Sequence, residues 1–410
     1  MKILIVSEDI PYPNMGGLAK HALALARALI RAGHEVDVLG GDQHPIEVAG
    51  DEGLFGGQFY GELTGHLSGW KETSLGMFVP LRRTLTAKRF ARIIMRRAKD
   101  YDVIHYHGHL PNVGRYIPAD VNFIQTRHDH GGDCIKHTRF RNGEVCDTPD
   151  PQVCASCIAA HPNLLQQTVS TMAVVNLRED TARAFRTHKT VFVSDMLKRN
   201  FARTMGEEPW GVTIHNFIDR ERIVLARQTA CTSGEAEEIR LFFSGKIARA
   251  KGIEALLSEL TPRMPSNMTV TIAGDGADEA RLRQQYAKDS RIRFAGWCAP
   301  ERTLELAAGA HAILVPSIWE EPSGTTILEG IMLGKPVFAL ARGGTPELAV
   351  YAGDPGQLKL FPDMRSLAES LASFLPDEAY PLPPIEPASS DRAAQKLIEM
   401  YRLPSGPVFA

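Results

Sequence analysis

Long hydrophobic runs are absent from this sequence of 410 residues. No uninterrupted apolar stretch approaches the ~18–20 residues that a membrane-spanning helix needs, so no such helix is predicted. The short apolar run at residues 3–6 leads directly into Glu8 and Asp9, and this pattern predicts no secretory signal peptide. We therefore expect a cytoplasmic protein, with peripheral attachment to the inner face of the cell membrane as the alternative.

An excess of one charge is absent as well. The chain has 46 Lys and Arg against 48 Asp and Glu, so its net charge is −2 and general nucleic-acid binding is not expected. Aromatic residues make up only 7%, but 44% hydrophobic and 23% charged residues are the balance of a soluble globular protein. Because single hydrophobic cores stop growing near ~250–300 residues, the length indicates two domains.

Two series of alternating strands and helices fit this expectation. In the first, a β-branched run at residues 2–7 precedes a turn-rich segment, and Gly33 ends a helix whose apolar face is Leu18, Ala22, Leu25 and Leu29. Further strands are predicted at 103–107, 123–125 and 191–194, and then at 239–243, 269–273, 291–294, 312–315 and 337–340. The fold class is therefore α/β with parallel sheets, whose ligands bind beyond the carboxyl ends of the strands.

The predicted domains cover residues 1–217 and 218–388, with a hinge near 215–219 and a polar linker at 233–238. Prolines concentrate at 376–387, where a helix is not tolerated, so we expect an extended connector there. A last amphipathic helix is predicted at 391–403.

An anion site is predicted in the second domain. A helix at 327–333 follows four small residues, Ser323, Gly324, Thr325 and Thr326, and its first backbone N–H groups favour an anion. The loop after the first strand of this domain adds Gly245 and three cations, Lys246, Arg249 and Lys251, which together suit a diphosphate. The alternatives are an ordinary Ser/Thr helix cap and a solvated run of charges.

Two carboxylates and a glycine turn complete the candidate site. Glu321 and Glu329 stand beside the anion site, where a carboxylate is suited to accept hydrogen bonds from sugar hydroxyls. The alternative for each is a partner for the helix dipole. In the first domain, Gly16 and Gly17 open the first helix, where backbone can approach a ligand without a Cβ atom.

The segment WEEPSGTTILEGIMLGKPV at residues 319–337 closely resembles the signature of retaining GT-B glycosyltransferases of family 4. Further segments match in order, at 16–17, 102–107, 214–219, 245–252, 273–276 and 343–347, so the resemblance covers nearly the whole chain. It implies two Rossmann-like domains facing across a cleft, with the nucleotide sugar on the second and the acceptor on the first. It also implies that residues 389–410 carry a C-terminal helix back to the N-terminal domain.

By motif position, the resemblance implies a role for each candidate residue. Glu329 is expected to bind the nucleotide ribose and Glu321 to contact the transferred sugar, with His128 beside the sugar ring. The diphosphate is expected at Lys246 and Lys251 and at the donor-binding residues Ser323, Gly324, Thr325, Thr326, Gly16 and Gly17. The sequence departs from the family at Lys246, where Arg is usual and would offer bidentate geometry, and at Phe217, where Gly is common.

The implied activity is retaining transfer of a sugar from a nucleoside diphosphate, UDP or GDP, to a saccharide or lipid-linked saccharide, in polysaccharide or glycolipid assembly of the bacterial type. The resemblance implies no catalytic metal, and it implies that the leaving phosphate takes the acceptor proton, since no glycosidase-like carboxylate pair is evident. A nucleotide-sugar epimerase or phosphorylase and a non-catalytic sugar-nucleotide binding protein are the alternatives. A nicotinamide dehydrogenase is disfavoured because no G-x-G-x-x-G follows a strand.

Cysteine is scarce and unevenly placed. Cys231 and Cys298 are isolated, whereas four of the six lie within 24 residues: Cys134, Cys146, Cys154 and Cys157. The spacing C-x11-C-x7-C-x2-C suits a tetrahedral structural zinc site, with His137 or His161 as replacement ligands, and would shape an acceptor-facing loop. The alternative is four unrelated thiols.

Basic residues crowd one segment of the first domain: Arg82, Arg83, Lys88, Arg89, Arg92, Arg96, Arg97 and Lys99, with Leu85, Phe90, Ile93 and Ile94 between them. A basic amphipathic helix suits an anionic membrane surface or a lipid-diphosphate acceptor. A solvated helix face is the alternative.

Overall fold

The first sheet of the protein is entirely parallel. The computed structural model describes residues 1–10, 17–42, 56–65, 72, 75–158, 163–206, 209–229, 238–376 and 380–405. In chain order its strands are β1 (Lys2–Ser7), β2 (Glu35–Gly41), β3 (Phe59–Leu63), β4 (Val103–His107), β5 (Phe123–Arg127), β6 (Phe140–Arg141), β7 (Glu144–Val145), β8 (Lys189–Phe192) and β9 (Gly211–Thr213). The first sheet has the order β3-β2-β1-β4-β5-β8-β9, and β6 and β7 lie outside it.

The second sheet is parallel too and has the order β12-β11-β10-β13-β14-β15. Its strands are β10 (Ile239–Ser244), β11 (Met268–Ala273), β12 (Ile292–Gly296), β13 (Ala312–Val315), β14 (Val337–Leu340) and β15 (Leu358–Phe361). Successive residues of β10 alternate between two cores: Leu241 and Phe243 belong to one and Phe242 to the other. Both faces of this sheet are therefore covered, as a parallel sheet requires.

Twelve α-helices accompany these strands in the described residues: α1 (Gly17–Arg31), α2 (Val79–Arg97), α3 (Pro151–Ile158), α4 (Leu164–Thr187), α5 (Asp195–Met205), α6 (Arg220–Thr229), α7 (Ile253–Leu260), α8 (Glu279–Gln285), α9 (Pro300–Gly309), α10 (Thr325–Met332), α11 (Met364–Ala372) and α12 (Ser390–Arg402). None of these helices combines the length and the apolar character needed to cross a membrane.

The chain divides into two compact units. The first contains residues 1–141 and 146–215 together with α12, and the second contains residues 142–145 and 216–389. The C-terminal helix packs on the first unit, where Asp391 forms a salt bridge of 2.7 Å with Arg31 and the Tyr401 hydroxyl lies 2.7 Å from His105 Nδ1. The α/β fold with a returning C-terminal helix is thus confirmed. The assignment of donor and acceptor sides to the two units remains a prediction.

Most predicted elements are present, with ends shifted by up to two residues. Gly33 has a φ of +86°, the left-handed conformation expected where α1 ends. The connector at 376–387 is not extended throughout, because Glu386–Ala388 forms a 3₁₀ turn, and residues 377–379 lie outside the described part. Most of the predicted linker at 233–238 also lies outside it.

Candidate functional site

The second unit gathers its candidate residues where the strand order reverses. β10 and β13 are neighbours in this sheet, and their following helices lead in opposite directions along it. The loop after β10 carries Lys246 and Lys251, and the loop after β13 carries Glu321 and Ser323. A reversal of this kind leaves a crevice at the carboxyl edge of a parallel sheet, which is where such sheets bind ligands.

Lys251 and Glu321 form a partly buried ion pair. The Lys251 ammonium donates to Glu321 Oε2 at 2.6 Å, and the Trp319 indole N–H and the Ser317 hydroxyl donate to the same oxygen at 2.9 and 3.1 Å. Burial alone would raise the pKa of Glu321, but the Lys251 charge and these hydrogen bonds outweigh it and lower that pKa. Glu321 is therefore a fixed carboxylate.

The first turn of α10 has no side-chain cap. Gly324 is the N-cap residue and no side chain accepts a hydrogen bond from the first turn, so the ordinary Ser/Thr cap is not present. Ser323 instead lies buried against Asn216, whose backbone N–H donates to the Ser323 hydroxyl at 3.2 Å and whose amide donates to the Ser323 carbonyl at 2.7 Å. The Ile327 amide donates to the Gly324 carbonyl at 3.1 Å, which leaves the amides of residues 324–326 available to an anion.

Two glycines let the loops of this site pack closely. Gly252, which follows Lys251, has a φ of +72°, and a Cβ atom there would lie 1.9 Å from the Pro316 carbonyl oxygen. Gly343 has a φ of +59°, and a Cβ atom would lie 2.5 Å from the Glu321 carbonyl oxygen. Only glycine fits both positions, so the loops bearing Lys251 and Glu321 are held by backbone contacts.

The remaining candidates of the second unit differ in exposure. Lys246 is exposed at the end of β10, whereas Thr325, Thr326 and Glu329 are half-buried in α10. The Thr326 hydroxyl lies 3.5 Å from that of Ser244, which ends β10. The structure therefore brings Lys251, Glu321, Ser323 and the start of α10 to one edge of the second sheet.

In the first unit, His128 belongs to a cluster of imidazoles at the ends of β4 and β5. His107 Nδ1 lies 3.1 Å from His128 Nε2, and the ring of His21 packs edge-on against His128 with a centroid distance of 4.5 Å. Burial and the neighbouring imidazoles lower the pKa values of His21 and His107, so both rings are neutral at pH 7. Gly17 begins α1 one turn before His21 and is exposed, and Gly16 lies outside the described residues.

A second cluster at this edge was missed by the sequence predictions. The ring of His109 bridges two carboxylates, with Nε2 at 2.9 Å from Asp9 and Nδ1 at 2.8 Å from Asp129, which also lies 3.1 Å from His137 Nδ1. Burial alone would lower the pKa of His109, but the two carboxylates raise it well above its usual value. The alternating run His105, His107 and His109, which occupies the predicted strand at 103–107 and continues past its end, was the available signal.

The clustered cysteines lie together in the first unit. All four line one small cavity, together with Ile135, Phe140 and Val153, and none forms a disulfide. Burial raises the pKa of Cys134 to about 11. His137, predicted as a possible replacement ligand, is not among the residues that line this cavity, and its Nδ1 lies 3.1 Å from Asp129. His161 and Cys231 lie outside the described residues. Cys298 is half-buried in the second unit.

The basic segment is largely the helix α2, but two of its cations do not belong to an exposed patch. Arg83 is buried, bonded to Glu72 at 2.7 and 3.0 Å and to the Ile135 carbonyl at 2.7 Å, and Arg97 pairs with Glu62. Phe90, Ile93 and Ile94 are core residues, whereas Leu85 is 67% exposed. The exposed cations are Lys88, Arg89, Arg92, Arg96 and Lys99, with Arg82 half-buried.

Comparison with known proteins identifies relatives along the whole chain. The family model described as Glycosyltransferase Family 4 matches residues 15–222, and that of Glycosyl transferases group 1 matches residues 232–395. An uncharacterized glycosyltransferase of Methanocaldococcus jannaschii is 25% identical over 85% of this chain and 82% of its own length. Glycogen synthase of Mycobacterium tuberculosis is 27% identical over 92% of this chain and 87% of its own. Among solved structures, Anabaena HepE in complex with UDP and glucose superposes with a TM-score of 0.59 at 19% identity, covering 98% of this chain and 99% of that one.

Proposed function

The chain belongs to glycosyltransferase family 4 and has the GT-B fold, and from this membership we propose that it moves a sugar from a nucleoside diphosphate to an acceptor hydroxyl with retention at the anomeric carbon. That the chain is a glycosyltransferase follows from the family itself. Retention, catalysis without a metal ion, the donor and a role in polysaccharide or glycolipid assembly are the proposed parts. The UDP and glucose bound to HepE support a UDP-sugar donor.

The uncapped start of α10 beside Lys251 carries this proposal. Breaking the bond between the sugar and the phosphate develops negative charge on the leaving diphosphate. Backbone N–H groups of residues 324–326 and the Lys251 ammonium group are fixed donors for that charge, and the exposed Lys246 adds a further cation; they stabilise the charge more in the transition state than in the bound donor. No water has to reorient when the charge appears, since these groups are already in place.

Glu321 is suited to orient the sugar. Its three donors, Lys251, Trp319 and Ser317, all bond to Oε2, which leaves Oε1 to accept a hydrogen bond from a sugar hydroxyl. Because its pKa is lowered, Glu321 stays charged and is a poor proton donor at neutral pH. We assign the acceptor proton to the leaving phosphate, Glu329 to the ribose, Gly16 and Gly17 to the phosphates, and His128 to the sugar ring.

Nucleotide release and product analysis test this function. A thermal-shift panel of UDP-, GDP-, ADP- and dTDP-sugars identifies the donor, because a ligand that binds only the folded state raises its stability. With that donor, NMR of the product should show the anomeric configuration of the donor. Lys251→Ala and Glu329→Ala should each lower the transfer rate, for Lys251 by about 10²–10³-fold. The control Arg302→Ala, on the exposed face of α9, should leave it unchanged.

Each contrary result has a distinct meaning. An inverted product would contradict retention, and near-normal turnover in both variants would contradict the phosphate site. Formation of an epimer without free nucleotide would indicate the epimerase alternative. Donor binding without turnover on any saccharide or lipid-linked acceptor would indicate a non-catalytic binding protein.

We also propose that the first unit docks on an anionic membrane. Phe78, Leu81 and Leu85 are 56%, 47% and 67% exposed at the start of α2, on the side that continues into the exposed cations of this helix. Leu164, Leu165 and Met172 are exposed on α4, which packs against α2. Exposed apolar residues beside exposed cations can bind at the membrane surface, where acyl chains meet anionic headgroups.

A further inference from the structure

In the segment that follows β5, residues 134–139 form a tight loop around one sulfur atom, and we call this loop the knuckle. The backbone N–H groups of Lys136, Thr138 and Arg139 all donate to Cys134 Sγ, the last at 3.3 Å. The knuckle closes because His137 and Arg139 have left-handed φ values of 60° and 47°, which are unfavourable for residues with a Cβ atom. A neutral thiol is a weak acceptor, so three amides directed at one sulfur suit a thiolate.

The other three cysteines approach the same cavity from two more segments. Cys146 follows β7, and its backbone N–H donates to the Arg139 carbonyl of the knuckle at 2.6 Å. Cys154 and Cys157 lie one turn apart on α3, so both sulfurs face the same way. Arg178 of α4 places its guanidinium 3.1 Å from Cys154 Sγ and also donates to the Asp133 carbonyl at 3.2 Å.

We propose that Cys134, Cys146, Cys154 and Cys157 bind one Zn²⁺ ion. Four thiolates fill a tetrahedral shell and leave no position for substrate, so the ion is structural. The amides at Cys134 and the Arg178 guanidinium form the outer shell that offsets the negative charge of such a site. In the described part of the chain, no three of these sulfurs lie within 4.8 Å of one another, so binding of the ion requires the four sulfurs to move closer together.

Binding of zinc therefore has a consequence for the histidine clusters. The knuckle contains His137, which bonds to Asp129, and Asp129 is the residue after His128. The Arg139 side chain donates to Asp133 at 2.6 Å, inside the same loop. Because the zinc ion ties this loop to α3, its loss should loosen the contact between His137 and Asp129 as well as the cysteine cavity.

Metal analysis of the full chain, purified without chelator and on a metal-free affinity resin, tests the site. We expect about one zinc ion per chain in the wild type, and less than about a tenth of that in Cys157→Ser. The matched control Cys298→Ser, a half-buried cysteine of the second unit, should keep its zinc. A protein with neither zinc nor iron would overturn the proposal, as would iron with acid-labile sulfide, which would indicate a cluster instead.

A second measurement, on the wild type, tests the site even if Cys157→Ser fails to fold. Wild-type protein stripped of metal should bind Co²⁺ with the intense thiolate-to-metal absorption of a tetrahedral sulfur site, and Zn²⁺ should displace it. Metal loading should also raise the apparent unfolding temperature of the wild type and of Cys298→Ser alike. Absence of Co²⁺ absorption in a folded, reduced protein would contradict four-cysteine ligation.

Discussion

Neighbouring side chains give two histidines, His105 within β4 and His109 just after it, opposite protonation states. His109 lies between Asp9 and Asp129, which outweigh the effect of burial and raise its pKa well above 6.5. His105 is bonded to the hydroxyls of Tyr401 and Thr126 at 2.7 Å, and burial lowers its pKa to about 3. At pH 7 the first is therefore an imidazolium and the second a neutral imidazole.

His109→Gln should lower the stability in a pH-dependent manner. The folded pKa lies above the unfolded value of 6.5, so the stabilisation by the charged ring is complete below pH 6.5 and is lost as the pH rises through the folded pKa. The difference in free energy of unfolding between wild type and variant should thus be larger at about pH 6 than at about pH 9. Urea titrations at the two pH values measure it.

His105→Gln is the matched comparison, because the sign is reversed. A folded pKa below 6.5 means that the advantage of the neutral histidine is present above pH 6.5 and declines as the pH falls toward 3. ¹⁵N chemical shifts of the imidazoles report the same two states directly. Equal pH dependence of the two variants, or a neutral His109 at pH 7, would contradict this assignment.

Some contacts of these side chains could be predicted from the sequence, and others could not. Lys251, Glu321 and Ser323 lie in motifs whose loops follow recognisable strands, so their proximity was predictable. The contact between His109 and Asp9 was not predictable. Asp9 lies 100 residues earlier in the chain and reaches His109 through the pairing of β1 with β4. The burial of Arg83 could not be predicted either, because its partner Glu72 lies outside α2.

Helix α2 makes the membrane proposal testable. Leu85→Glu places a negative charge in the exposed apolar patch and should lower co-sedimentation with vesicles rich in anionic lipid by about tenfold, because burial of the leucine is lost and the new charge repels the headgroups. The control Val350→Glu changes a residue that is 75% exposed in the second unit, and it should bind as the wild type does. Wild-type binding should weaken in high salt.

Equal binding of Leu85→Glu, Val350→Glu and the wild type, or binding that is insensitive to salt, would contradict docking through α2. Periodicity predicted this helix but grouped Leu85 with Phe90 and Ile93, although Leu85 is exposed and the other two are core residues. The strands missed from the sequence have a related cause. β3, β9 and β15 are outer strands of mixed burial, so they lack the continuous apolar run by which the inner strands were predicted.

The main groups of candidate binding residues lie in different compact units of the chain. The imidazole clusters and the cysteine cavity lie in the first unit, and Lys246, Lys251 and the start of α10, which we propose as the main diphosphate-binding groups, lie in the second. The net charge of −2 did not indicate this division, because acidic residues elsewhere in the chain offset the exposed cations of α2. The length alone indicated two domains, but it did not indicate which chemistry each would hold.

Calorimetry should resolve this division, since two compact units with separate cores need not unfold in one step. A nucleoside diphosphate at about 100 times its Kd should stabilise the second unit by about 2.7 kcal/mol and raise one transition. Lys251→Ala should abolish that shift, because it removes a cation of the phosphate site. A zinc chelator should lower the other transition and leave the nucleotide-sensitive one in place. A nucleotide-induced rise of the chelator-sensitive transition alone would contradict the placement of the donor on the second unit.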